Sequence, residues 1–467
     1  MIFLFCDFLY LLQTQALGLR HQPPHYQYVG HTHHCKQQEC ACRRKRGEHP
    51  RRQLSYQIGA HPQRQSSNRH CKSSDLRGIH LREQHPHHDT YRYGTADTLP
   101  DLAKSLGLSI PTITKLVEEF VGMGIIEERG KLETNGGRHP VLYGLNPNSC
   151  YFAGVDIYND SVSIGLIDFC GDMVEKQTGI PYNFENTPAG LDRLCEIIKH
   201  FIDTLDVDKS NIININLNIS GRVNPKSGYS YSRFNFEEQS LADVLTRKIG
   251  IKSCIENDTR AMTLGEYTFG NCSNEKNVIF VNIGWGLGIG MILDGKIYRG
   301  KSGFAGELGH MVTFNNEIMC HCGKKGCLET EASGNALHRK LIERLKAGEN
   351  SILAKKFKSE GDVSLNDIIN AVNREDLLCI ELVEGIGQVL GRWLAGLINI
   401  FNPEKVVIGG NLSMTGDYIL QPIKTLVRRY SLNLVNEDTK IVLSQLGDQV
   451  GLIGACANAR IRAFDNQ

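Results

Sequence analysis

No charge of one sign dominates this chain: 52 Lys and Arg stand against 51 Asp and Glu, a net charge of +1 over 467 residues. That balance excludes a globally basic nucleic-acid coat and leaves room only for a local basic patch. A long hydrophobic run is also missing. The one strongly apolar stretch at the start, Met1 to Leu12, is short, interrupted by Asp7 and without a basic leader, so neither a membrane span nor a signal peptide is expected. The reading is of a soluble, cytoplasmic protein with no membrane partner. Fifteen cysteines are scattered through a long chain rather than clustered in a small one, which favours free thiols and one metal site over disulfides.

Periodicity is absent from about Arg20 to Tyr93, where neither a 3.6-residue nor a two-residue apolar repeat persists. Twelve of the 17 histidines fall before Asp89, among runs such as CRRKRGEHPRRQ. The segment 31–42 (HTHHCKQQECAC) has metal-binding side chains. The favoured reading of 1–93 is nevertheless a disordered or misread start.

From Thr98 the texture changes. Leu99, Leu102, Ala103 and Leu106 give one helical face and Gly107 ends it. Ser109 can cap a second helix that tolerates Pro111 in its first turn and buries Ile113, Leu116, Val117 and Phe120. Pro111 and Lys115 then point outward, with Thr112 and Thr114 on the flanks. Strands are expected at 125–129 and 141–145, with a wing tip at 134–140 that offers Arg138 to phosphates or the minor groove. This is a winged helix-turn-helix over 95–147, with Ser109, Pro111, Thr112, Thr114, Lys115 and Arg138 as DNA contacts. The helix that normally precedes such a hairpin has no pattern at 89–93.

The densest chemistry lies between Gly303 and Glu329. Cys320, Cys322 and Cys327 follow His310, and three soft thiolates with one imidazole in a Gly-rich loop suit a closed tetrahedral Zn²⁺ site. Four protein ligands leave no open coordination position, so the metal is structural. Glu307 and Glu329 flank the ligands, which points to a small-molecule site built on the metal.

Around this loop the pattern repeats. Three strands followed by helix, strand, helix, strand, helix are expected over 150–272, with the final helix at 450–464 added to that lobe. The same order is expected over 275–448, interrupted by the zinc loop 303–329. A duplicated α/β unit of this kind usually encloses its ligand between the halves.

GVDI (154–157), IENDTRAM (255–262), NIGWGLGIG (282–290), GFAGELGH (303–310), CHCGKKGCLE (320–329) and NPEKVVIGGN (402–411) together resemble the ROK family of repressors and sugar kinases. The resemblance covers about 98–464. It implies an actin-like, ribonuclease-H-like duplicated sugar-kinase fold preceded by a small winged-helix DNA-binding domain. It also implies a sugar pocket lined by Asn257, Asp258, Glu307, His310 and Glu329. In a kinase of the family Asp258 would be the general base, with ATP and Mg²⁺ as cofactors. Here the phosphate loops depart from that pattern. Tyr158, Asn159 and Asp160 replace the Gly-Gly-Thr turn expected after Asp156, and Trp285 replaces a Thr in the loop 284–290. An indole at 285 should fill the nucleotide side. Gly409 and Gly410 survive on the adenosine side.

Damage to both phosphate loops beside an intact sugar pocket favours a sensor over a catalyst. The expected function is a sugar-responsive transcriptional regulator, a repressor acting on a double-stranded DNA operator, with a sugar or amino sugar as effector and a homodimer or higher oligomer as its working form. The alternatives are an ATP-dependent hexose or amino-sugar kinase, and a sugar-binding protein that has lost both activities.

Overall fold

A computed structural model describes residues 96–464 apart from 134–138, 237 and 360–361. The expectations for 1–93, for a helix preceding the hairpin and for Arg138 lie outside the described residues.

Two helices open the described chain, α1 (Leu99–Leu106) and α2 (Ile110–Gly122). Thr98 caps α1 by accepting the Asp101 N–H, and Gly107, at φ 64°, closes it in the left-handed conformation that glycine adopts without strain. Ser109 caps α2 by accepting from the Thr112 N–H, and Pro111 sits in its first turn, where no donor is lost. Ile113, Val117 and Phe120 are buried, whereas Leu116 is only half-buried. Strand β1 (Asp97–Thr98) pairs with β3 (Val141–Leu145), which pairs with β2 (Ile126–Lys131), all antiparallel. The ladder therefore starts one residue later and runs two residues further than the pattern predicts for the first strand. β1, two residues long, carries no period to predict.

Two five-stranded sheets follow. The first comprises β4 (Tyr151–Ile157), β5 (Ser161–Ile167), β6 (Met173–Pro181), β7 (Ile212–Ile219) and β10 (Ser253–Asn257), in the order β10-β7-β4-β5-β6. The second comprises β11 (Val278–Ile283), β12 (Leu287–Leu293), β13 (Lys296–Ile297), β14 (Lys405–Gly409) and β15 (Lys440–Leu443), in the order β13-β12-β11-β14-β15. In each, the first strand pairs antiparallel with the second and parallel with the fourth. The duplication is one of strand order and direction as well as of sequence pattern. Every residue of β4 is buried, as expected of a strand covered on both faces. Between β7 and β10 a short hairpin, β8 (Val223–Asn224) with β9 (Tyr229–Ser230), stands apart from the sheet.

The helices of the first half are α3 (Pro188–Thr204), α4 (Leu241–Ile249) and α5 (Asp258–Phe269). Those of the second are α6 (Gly334–Lys346), α7 (Leu365–Asn373), α8 (Leu377–Phe401), α9 (Asp417–Tyr430) and α10 (Asn433–Asp438), and α11 (Val450–Phe464) ends the described chain. α5 is buried from Thr259 to Thr268, so it lacks the polar face of an amphipathic helix. It crosses α11 through glycines: a Cβ on Gly454 would lie 2.0 Å from the Ala261 carbonyl, and one on Gly265 would lie 2.8 Å from the Gly454 nitrogen.

α11 reaches two places. At its start the Gly451 carbonyl accepts from Asn218 Nδ2 at 2.8 Å, beside the buried Asp156. Its last turns enter an apolar cluster shared with α1, α2 and β3, containing Leu102, Ile113, Phe120, Phe152, Phe169 and Phe464. The Phe464 ring meets Phe152 edge-on at 5.8 Å and stacks on Phe169 at 6.0 Å. Arg129 adds a polar tie, donating to the Leu145 carbonyl at 2.7 Å and to Cys170 Sγ at 3.6 Å.

Candidate metal centre and adjoining cleft

Between β13 and α6 the chain folds into a knuckle. Val312 pairs with Cys327 and Met319 with Lys325, while the Cys320 N–H donates to the Lys324 carbonyl at 2.8 Å. Gly326 makes the turn possible. Its φ is 72°, and an added Cβ would lie 2.0 Å from the Phe314 carbonyl oxygen. The ligand atoms of His310, Cys320, Cys322 and Cys327 consequently lie within 4.8 Å of one another. His310 Nδ1 is 3.5 Å from Cys320 Sγ, and Cys322 and Cys327 sulfurs are 3.6 Å apart, too far for a disulfide and suited to sharing one cation. Burial pushes the Cys320 thiol up to about 12, a cost that a divalent cation would offset. The donor set fits a soft metal. Replacing Gly326 with alanine is expected to reduce bound metal per chain at least tenfold, read by elemental analysis after dialysis, because strain and a backbone clash both oppose the knuckle. Full metal occupancy in that variant would contradict this account of the loop.

Directly after Cys327, a single 3₁₀ turn (Leu328–Thr330) carries Glu329. One carboxylate oxygen accepts from the Leu287 N–H at 2.9 Å, and the other lies 2.9 Å from His321 Nδ1. Burial would raise this carboxyl, but the His321 hydrogen bond and the Leu287 N–H outweigh it and hold the group below the usual carboxylate range. His321 stands between two metal-ligand cysteines, and its ring meets His310 at 5.0 Å. The sequence reading passed over it, although its place inside CHC was the available signal. Glu307 is exposed, with Oε2 3.7 Å from His310 Nε2. His310 thus turns one nitrogen to the thiols and the other to Glu307.

Asn257 and Asp258 form a second group at the start of α5. Asn257 caps that helix, accepting from the Arg260 N–H at 3.1 Å while donating to the Gly221 carbonyl and to Asp258 Oδ1. Asp258 Oδ2 accepts from Ser220 Oγ at 2.7 Å. Beneath them Glu256 joins the halves: it binds Arg260 Nε at 2.8 Å and Arg299 Nε at 3.0 Å, and Arg260 also donates to Ala305 two residues before Glu307. Burial raises the Glu256 carboxyl, and the two guanidiniums more than reverse that shift. Glu256, Arg260, Arg299 and Ser220 were not singled out from the sequence: Glu256 and Arg260 stand four residues apart, but Arg299 and the Ser220–Asp258 contact come from segments 43 and 38 residues away.

Two glycines of 284–290 have a packing role that the sequence did not suggest. Gly288 and Gly290 lie in β12, and Cβ atoms there would meet the Thr259 and Thr263 hydroxyls at 2.8 and 1.9 Å. They admit α5. The Gly284 and Trp285 carbonyls accept from the Gly334 and Asn335 N–H groups at the start of α6. Trp285 is 47 % exposed and lies against His338 at 5.6 Å, so it does not fill an enclosed space. Gly409 packs under the Phe280 ring, where a Cβ would lie 2.3 Å away. In the first loop, the Tyr158 hydroxyl turns onto buried Asp156, whose carboxyl burial pushes up, and Arg233 holds Asn159 Oδ1 at 2.8 Å.

On α2, Ser109, Pro111, Thr112 and Lys115 are exposed, and Thr114 is half-buried with its hydroxyl donating to the Ile110 carbonyl at 2.9 Å. Among the described residues no helix is long and apolar enough to cross a membrane.

A family model described as the ROK family matches residues 152–461. A xylose repressor from Caldicellulosiruptor bescii is 28% identical over 359 residues, which is 76% of this chain and 90% of that one. The structure of a ROK-family transcriptional regulator, a homologue of the E. coli MLC protein, superposes with a TM-score of 0.68 at 29% identity, covering 79% of this chain and 92% of the other. A ROK-family glucokinase from Streptomyces griseus, solved with glucose and AMPPNP, gives 0.59 at 28% identity, covering 67% and 99%.

Proposed function

The chain belongs to the ROK family, and from that premise we propose that it is a sugar-responsive transcriptional repressor. The single observation that carries the reading is the placement of α2. Its buried face shares an apolar cluster with the end of α11, while Ser109, Pro111, Thr112 and Lys115 stay exposed. A helix so held presents small polar groups and one cation to a DNA groove, with Thr114 at the flank, and the sequence adds Arg138 as a further candidate contact. Two copies of the chain would match paired half-sites.

The sugar is bound by Asn257, Asp258, Glu307, His310 and Glu329. Carboxylates and an amide make paired hydrogen bonds to neighbouring hydroxyls, and His310 presents the nitrogen that faces away from the thiols. Zn²⁺, held by His310, Cys320, Cys322 and Cys327, supplies rigidity and no reaction chemistry. Cys327 fixes the start of the turn that aims Glu329, and His310 is fixed through its other nitrogen. Release from DNA requires the sugar to favour one arrangement of the molecule: a nearly complete switch needs about 10⁴-fold differential affinity.

The same family includes sugar kinases, and the Ser220–Asp258 contact is compatible with Asp258 as a general base. Against catalysis stand Tyr158 over Asp156 and side chains where a phosphate-binding turn needs bare backbone. Incubation with ATP, Mg²⁺ and a hexose panel is expected to give no sugar phosphate above background, and turnover would overturn the sensor reading. Selection of bound genomic fragments is expected to yield a defined operator that one sugar releases. Failure to recover any DNA, or retention unaffected by every sugar, would favour a sugar-binding protein without a regulatory role.

A further inference from the structure

Where the β8–β9 hairpin meets the loop leading to the metal knuckle, aromatic rings from both halves are exposed together. Tyr231 follows β9 and is 48 % exposed, and Phe304, in the loop leading to the metal knuckle, is 37 % exposed. Their rings meet edge-on at 5.5 Å and 86°, and Tyr229 lies 6.4 Å from Tyr231. Such surface is costly to leave in water, and it is built rigidly. The Tyr231 N–H donates to the Arg222 carbonyl at 2.9 Å, and a Cβ on Gly303 would lie 2.7 Å from Pro225 Cδ, so the hairpin and the loop are in close contact.

The position of this cluster identifies its occupant. Gly221, one residue before the Tyr231 partner Arg222, accepts from Asn257 Nδ2 at 3.0 Å. Phe304 lies three residues before Glu307 in the chain. Tyr231 is therefore tied through Arg222 and Gly221 to Asn257, and Phe304 joins it by the ring contact from the segment that leads to Glu307. A pyranose or furanose ring has an apolar face of C–H groups and a polar edge of hydroxyls. Rigid aromatic rings bind the face, and the exposed Arg222 beside them suits the edge.

We propose that Tyr231 and Phe304 form a second subsite, which receives a sugar ring glycosidically linked to the one in the cleft. The effector class is then a disaccharide or longer glycoside rather than a free monosaccharide. This rests on the sugar-binding reading of the cleft.

Calorimetric titration of the full zinc-loaded chain with matched pairs tests it: xylose and xylobiose, glucose with cellobiose and maltose, and N-acetylglucosamine with its β-1,4 dimer. One disaccharide is expected to bind at least tenfold more tightly than its monosaccharide. Tyr231→Ala and Phe304→Ala should each erase most of that advantage while leaving monosaccharide affinity within twofold, and Tyr231→Phe should retain it. Retained zinc content and unchanged circular dichroism identify folded variants. Equal affinity within every pair, or equal weakening of both members in the variants, overturns the second subsite alone. No binding by any sugar in the panel overturns the cleft assignment and the subsite with it.

Discussion

Replacing Cys322 with serine is expected to remove the metal and to weaken sugar binding at least tenfold, while the protein remains folded. Serine offers a hard, protonated oxygen where a soft cation requires a thiolate, and the remaining three ligands leave the site open to water. The knuckle's backbone is held by isolated bridges at Val312–Cys327 and Met319–Lys325 and by short turns such as Cys320 N–H to the Lys324 carbonyl and Leu328 N–H to the Met311 carbonyl, so a metal would act chiefly on where the donor side chains point. Loss of metal would release the Cys327 sulfur while its backbone stays bridged to Val312, and Glu329 lies two residues beyond it. The large apolar cores around β4 and β11 do not include the knuckle cysteines, so global unfolding is not the expected result. Zinc per chain, sugar affinity and thermal midpoint measured on one preparation separate these effects. A variant without zinc that binds sugar normally would break the link between metal and recognition.

Replacing Glu329 itself should act more strongly on the ligand and leave the metal in place. Its carboxylate accepts from the Leu287 N–H and lies against His321, so alanine leaves a buried N–H without its acceptor and removes charged acceptors from the cleft. Each hydrogen bond to a charged group contributes about 1.5–3 kcal/mol. Loss of two such bonds to sugar hydroxyls, about 3–6 kcal/mol, predicts a rise in Kd of roughly 100-fold or more for Glu329→Ala. Glu329→Gln keeps one acceptor oxygen and should lose about tenfold. Titration of both variants at full zinc occupancy tests the assignment. A change under about threefold in the alanine variant would remove Glu329 from the sugar site.

Legibility from sequence followed the range of the interactions. The Cys/His cluster was readable because His310 and the three cysteines fall within 18 residues, and the glycines that turn the loop fall among them. Helices with a local stop and start were equally clear: Gly107 and Ser109 announce the end of α1 and the beginning of α2. The duplicated sheet was visible because its central strands, β4, β5, β7, β11, β12 and β14, each carry an apolar run. What escaped was long-range. The bridge from Glu256 to Arg299 spans 43 residues and has no local signature. Gly288 and Gly290 looked like phosphate-loop glycines because their neighbours on α5, Thr259 and Thr263, lie far back in the sequence. Trp285 was expected to fill space, and only the fold reveals that its loop is anchored by the start of α6, which leaves the indole half in water.

The seam at Phe464 bears on how α1 and α2, the proposed DNA-reading helices, become attached to the ROK body. The family match spans 152–461, yet the cluster that grips α1 and α2 draws on Cys150 just before that span, Phe152 at its edge, and Ala463 and Phe464 just after it. Both margins of the shared body thus converge on one small apolar socket. A reader plugged there gains a fixed orientation without any change to the catalytic or sensing interior. The width of that socket is set by three phenylalanines, Phe152, Phe169 and Phe464.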